Sequence, residues 1–168
     1  LDREDTEVTF FQDGIDFDLF NVIEQKEARK NIGLDLSARV FIFIGRFDRE
    51  KGLQHILKAF KRLYKLNTNT VLFLIGGSKE DELFDKVHFE GVKVLNRIPR
   101  EDLVNYYSAS DVLLYTSTDY RTIDFAGLSN AAIESLACGT PIYTSQFKHF
   151  IGSDIEKNSI GMEYRISS

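Results

Sequence analysis

Short apolar runs punctuate the chain at Val40–Ile44, Val71–Ile75, Val92–Leu95, Val112–Tyr115 and Ile142–Thr144, rich in β-branched and aromatic residues. Most are bounded by Gly, Asn or Ser, and runs of this kind read as buried strands of a parallel sheet. Between them the pattern turns helical. Leu53–Leu66 sets Leu53, Ile56, Leu57, Phe60, Leu63 and Tyr64 on one stripe and leaves Lys58, Lys61, Arg62 and Lys65 largely outside it, which predicts an amphipathic helix. Arg100–Ser108 and Asn130–Cys138 behave similarly. Strand alternating with helix over the whole length predicts a doubly wound α/β fold: a mostly parallel sheet with helices on both faces, whose ligands bind outside the carboxyl ends of the strands. Any site is therefore to be sought in the loops that follow strands. Thr6–Arg29 reads as a lead-in to the sheet, with a boundary near residue 20, giving an entry segment over 1–20 and the sheet-bearing domain over 21–168.

Composition narrows the classes of function. A chain of 168 residues with 43% hydrophobic content supports one sizeable core. The net charge of −5, from 21 basic and 26 acidic side chains with no long block of either sign, argues against nucleic acid or a membrane surface as partner. An anionic ligand would have to be gripped locally. The single cysteine, Cys138, leaves neither a disulfide framework nor a zinc site and points to a cytoplasmic location. His55, His88 and His149 lack metal-ligand spacing and receive no chemistry. No apolar run approaches the roughly 20 residues that span a bilayer, so membrane contact is expected only through sequence or partners outside this chain. A first residue Leu1 and an acidic start unlike a signal or transit peptide are expected of a fragment.

Two loops carry candidate chemistry. Val40–Ile44 runs into Gly45-Arg46-Phe47-Asp48-Arg49-Glu50-Lys51-Gly52 and then into the Leu53 helix. Gly45 permits a sharp turn, and Arg46 and Lys51 offer a planar fork and a point cation suited to a pyrophosphate, in place of a divalent metal. The second loop runs from Asp124 to Pro141, and its helix opens at Gly127, Ser129 and Asn130. Such an opening presents unpaired N–H groups and a positive dipole end to a phosphate. Glu134 lies about one turn further in, where a carboxylate could accept from ribose hydroxyls. Neither loop is GxxxxGK[ST] or GxGxxG. On the residues alone, the first also reads as a solvated charged loop and the second as a capped core helix with an exposed Glu.

Further segments fall in a fixed order. Asp13-Gly14-Ile15-Asp16-Phe17-Asp18-Leu19-Phe20 is similar to "NGID…F", and Gly45-Arg46…Lys51-Gly52 to "GR…KG". Leu74-Ile75-Gly76-Gly77 matches "lvGxG", and Ile98-Pro99-Arg100-Glu101-Asp102-Leu103…Tyr106 matches "vpxeeLxxxY". Ala109-Ser110-Asp111-Val112 is similar to "aDv", Gly127-Leu128-Ser129-Asn130…Glu134 through Pro141 to "GLPN…EAMACGTP", and Ser159-Ile160-Gly161-Met162 to "nGxl". Together they resemble the donor-binding half of the GT-B retaining glycosyltransferases, the glycogen-synthase-like family that includes mannosyl- and glucosyltransferases.

The resemblance implies a Rossmann-like half of a GT-B fold that binds a nucleotide-diphosphate sugar as donor and requires no metal or other cofactor. It implies that Arg46 and Lys51, beside Gly45, stabilise the leaving diphosphate and that Glu134 holds the ribose. Backbone amides around Leu128, Ser129 and Asn130 would complete the phosphate cradle, and the loop Asn96–Pro99, through Asn96 and Ile98, would form the base pocket. The family usually has Gly at the Asn96 position. An N-terminal domain outside this chain would bind the acceptor, so the fragment alone is expected to be inactive, and membrane association is left to the full-length protein. The family also places an acid eight positions before the ribose-binding Glu, where this chain has Ala126. Asp124, and Asp119 further up the loop, are the candidates to replace it, with Asp124 taken as the catalytic one. If neither does, the alternative is a glycosyltransferase-like nucleotide-binding subunit or regulator without catalysis. A phospho-receiver domain, suggested by a strand ending near Asp119, would need an acidic pair where Gly45-Arg46 stands.

Overall fold

The computed structural model describes residues 14–116, 129–145 and 161–164. Its elements are α1 (Gln25–Asn31), β1 (Arg39–Ile44), α2 (Leu53–Leu66), β2 (Thr70–Ile75), β3 (Val92–Leu95), α3 (Arg100–Ala109), β4 (Val112–Tyr115), α4 (Asn130–Ala137), β5 (Ile142–Ser145) and β6 (Gly161–Tyr164). The six strands lie in the order β3-β2-β1-β4-β5-β6, and every pairing is parallel. The order reverses between β1 and β4, and in open sheets of this kind the crevice at the strand carboxyl ends there is where ligands bind.

The pleat sorts the core onto two faces. Val40, Ile42, Phe73 and Ile75 pack with Leu103, Val104 and Tyr107 of α3 and Ala132 of α4. Phe43, Leu72 and Leu74 pack with Leu53, Ile56, Leu57 and Phe60 of α2. The register Ile42↔Phe73 and Phe43↔Leu74 keeps each set on its own side, because successive strand residues point to opposite faces. The expected doubly wound arrangement with helices on both faces is the observed one.

Two elements go beyond the sequence reading. α1 lies at the end of the segment read as lead-in, and its buried residues are Ala28 and a charged one, Arg29, so it lacks the apolar stripe that marks a helix. β6 is four residues long and contains Gly161 and Glu163, which gives no apolar run to detect. The lead-in is also tied to the core: Phe20 is fully buried and meets the Tyr107 ring edge-on at 6.3 Å.

At the amino ends of the strands a polar bracket closes the sheet. Arg29 donates through Nε to the Ala109 carbonyl (3.0 Å), through Nη1 to the Leu36 carbonyl (2.6 Å) and through Nη2 to Asp111 Oδ1 (3.0 Å). Asp111 Oδ2 accepts from the Val40 amide at 2.7 Å. One buried cation thus joins α1, the end of α3 and the starts of β1 and β4.

Candidate functional site

The loop between β1 and α2 is fixed from within and from the neighbouring loop. Phe47 is buried in the α2-side core. Asp81 Oδ2 accepts from the backbone amides of Phe47 (2.9 Å) and Ser78 (3.0 Å), and these two bonds hold its carboxyl below the usual aspartate range. Asp48 Oδ1 accepts from the Lys51 amide at 2.9 Å. Arg46 projects into solvent, with Nη2 3.1 Å from Asp48 Oδ2 and 3.4 Å from Glu50 Oε2. Its charge is therefore balanced by carboxylates of its own loop.

The far end of this loop meets the end of β4. Thr116 Oγ1 donates to the Lys51 carbonyl at 3.0 Å. Gly52 has φ of 72°, and a Cβ there would stand 1.9 Å from the Thr116 carbonyl oxygen. Both the left-handed conformation and the close approach require glycine. The consequence is positional: Lys51 and the start of α2 are clamped against β4 at the strand switch point.

On the other side of that point stands α4. Its N-cap is Ser129, whose carbonyl accepts from the amides of Ala132 (2.9 Å) and Ile133 (3.2 Å). The Ser129 hydroxyl oxygen makes no capping bond and is buried without a hydrogen-bond partner among the described residues. Glu134, one turn in, is buried. Its Oε1 accepts from Arg100 Nη2 at 2.8 Å and its Oε2 from the Tyr107 hydroxyl at 3.0 Å. A cavity of about 250 Å³ opens beside it, lined by Gly14, Ile15, Arg100, Asn130, Ile133 and Glu134.

This setting fixes protonation around the carboxylate. Burial, reinforced by the Glu134 charge, holds the Tyr107 hydroxyl far above its ordinary range, so it remains a donor. The same two causes push the Cys138 thiol up to about 12.

Several expectations are refined here. Glu134 is neither the exposed cap residue nor an open ligand carboxylate, but a buried group paired on both oxygens. The sequence pattern contains Arg100 only within a segment and takes Tyr106 as its aromatic, whereas the pattern's own spacing from Leu103 falls on Tyr107. Tyr107 lies four residues after Leu103 on the buried face of α3, whereas Tyr106 packs edge-on against Phe73 at 5.1 Å. That i, i+4 spacing was the available signal. Asn96, exposed, and Ile98, half-buried, sit in the loop from β3 that leads through Pro99 to Arg100. Arg46, Lys51, Asn96 and Ile98 do not line the cavity beside Glu134. Asp124, Asp119, Ala126 and Leu128 lie outside the described residues. Among the described residues no three His, Cys, Asp or Glu side chains gather into a metal site, and no helix is long and apolar enough to cross a membrane.

Comparison with known proteins shows the family and the fold. The chain is 30% identical over 147 residues to the D-inositol 3-phosphate glycosyltransferase of Thermobifida fusca, a match covering 79% of this chain and 32% of that protein. It spans about a third of the length of the curated relatives it matches. Among solved structures, sucrose-phosphate synthase from Thermosynechococcus elongatus superposes with a TM-score of 0.71 at 23% identity, over 92% of this chain and 39% of that one. The pneumococcal O-GlcNAc transferase GtfA, solved with UDP and GlcNAc, gives a TM-score of 0.64 at 18% identity, over 89% of this chain and 28% of that one. These similarities show one half of a GT-B fold. The sequence pattern described as Glycosyl transferases group 1 matches residues 24–161, and with more than half of its length so matched, the chain belongs to that family.

Proposed function

We propose that this chain is the donor-binding unit of a retaining glycosyltransferase and that it holds a nucleotide-diphosphate sugar at the β1/β4 switch point. One observation carries the reading: the Gly52–Thr116 contact joins the Arg46–Lys51 loop to the end of β4. The chain then continues to the α4 start and Glu134, so both halves of a diphosphate–ribose site lie at one rim. That GtfA, which shares this fold, was solved with UDP supports a nucleotide as the ligand class.

In this reading the hard event is charge gathering on the leaving diphosphate as the bond to the sugar breaks. Fixed cations and helix-end amides stabilise that charge where it develops. Arg46 exchanges Asp48 and Glu50 for phosphate oxygens, Lys51 adds a second cation, and the two take the place of a divalent metal. The amides around Ser129 and Asn130 complete the cradle, the Asn96–Ile98 loop borders the base, and Glu134 receives the ribose. Acceptor contacts come from sequence outside these 168 residues, so the chain alone is expected to bind donor without efficient transfer.

Calorimetric titration with UDP, GDP and ADP tests the site. One of the three is expected to bind, and Arg46→Ala with Lys51→Ala to weaken it by about a hundredfold. Absence of binding by all three at millimolar concentration would falsify the assignment. A second reading, a nucleotide-binding subunit without catalysis, draws on Ala126 at the position where the resemblance places an acid. A full-length protein that consumes no nucleotide sugar, but gains turnover on Ala126→Glu, would favour it.

A further inference from the structure

The carboxylate assigned to the ribose is already engaged on both oxygens, and its two donors differ in freedom. Tyr107 is fully buried, its ring is set against Phe20, and its carbonyl accepts from Thr140 Oγ1 at 2.6 Å. It has nowhere to go. Arg100 is the first residue of α3, and its side chain is 60% exposed. Its guanidinium lies 5.1 Å over the Phe20 ring and forms part of the cavity wall that also contains Asn130, the first residue of α4.

We propose that Arg100 is an exchange residue of this site. In the free protein it neutralises Glu134; when a nucleoside diphosphate binds, it yields Oε1 to the ribose hydroxyls and turns to the phosphates at the α4 start. The inference rests on the nucleotide-donor reading. Tyr107 keeps Oε2 throughout, and the ribose hydroxyls give Oε1 a donor in place of the departing guanidinium. The displaced guanidinium keeps its charge and needs an anion, with which it forms charge-assisted bonds. A nucleoside brings the hydroxyls but no anion, whereas a diphosphate brings both. Arg100 thereby makes the site select the charged ligand over the uncharged one.

The test is a titration of the chain with the nucleoside diphosphate that binds and with its parent nucleoside, for wild type, Arg100→Gln and Arg100→Lys. In Arg100→Gln, diphosphate affinity is expected to fall about tenfold while nucleoside affinity holds or rises, so their ratio drops about tenfold. Arg100→Lys recovers part of the ratio and serves alone if the Gln variant does not fold. A merely structural Arg100 would weaken both ligands together. An unchanged ratio overturns the exchange and leaves the donor reading standing; wild-type protein that binds no nucleoside diphosphate overturns both.

Discussion

Two arginine–carboxylate pairs stand at opposite ends of the strands and are built in opposite senses. In Arg29–Asp111 the cation is 6% exposed and the acid 44%; in Arg100–Glu134 the cation is 60% exposed and the acid 8%. Arg29 spends its donors on two carbonyls and one carboxylate of the fold itself. Arg100 makes one such bond, to Glu134, beside a cavity. The partner buried in each pair is the one the fold has committed. At the amino ends the cation is committed and the bracket is structural; at the carboxyl ends the acid is committed and the cation remains available for exchange.

The contrast breaks if the two arginines prove equally costly to remove. Arg29→Met leaves the Ala109 and Leu36 carbonyls without their side-chain donor and Asp111 without its cation, though the Val40 amide and Gln25 still donate to that carboxylate, and is expected to cost about 3 kcal/mol of stability. Arg100→Gln leaves an oxygen that cavity water can hydrate and is expected to cost about 1 kcal/mol. Urea unfolding of both variants measures the difference, and nucleotide affinity is expected to change only in the second. Tyr107→Phe removes the committed donor at the site and is expected to cost about 1.5 kcal/mol, with the free Oε2 then weakening the hold on the ribose. If Tyr107→Phe were silent in both stability and nucleotide affinity, the hydroxyl would not be what positions Glu134.

The smallest effect concerns the acid that shapes the loop rather than either pair. Asp81 has a lowered pKa in the folded state because two backbone amides stabilise its carboxylate. Its contribution is thus present above the ordinary aspartate value of 3.8 and is lost as pH falls below it through the folded-state value. Asp81→Asn is expected to flatten the acid limb of the stability profile below that value and leave the limb above pH 7 unchanged, as thermal unfolding across pH would record. A profile parallel to wild type at every pH would remove Asp81 from the loop's support.

The regular elements were legible because their signals are local. Five strands and three helices announce themselves through apolar runs and a stripe within windows of a few residues. α1 and β6 carry no such signal: one buries an arginine, the other is short and interrupted by glycine and glutamate. The candidate site was visible in the sequence as residue types in two loops, Arg46 with Lys51 and Ser129 with Glu134, whereas the bonds around Glu134 were not. Arg100 donates to Glu134 across 34 residues, and Arg29 to Asp111 across 82. Nothing in either neighbourhood encodes the partner.

By itself the sequence determined the alternation of strand and helix, and hence a parallel sheet whose post-strand loops are where a ligand site is to be sought. It also specified a glycine at position 52, where backbone conformation and contact both exclude a side chain. The tertiary structure alone decided that Glu134 is buried and doubly held, and that Tyr107 rather than Tyr106 holds it. It alone decided that Arg29 is buried among acceptors of the fold while Arg100 is exposed at the cavity rim. The physical reason is that periodicity is written into neighbouring residues. Burial and pairing arise only after the crossovers bring α3 against α4 and α1 against the starts of β1 and β4, where the lost water must be replaced by whichever donors and acceptors the fold has delivered there.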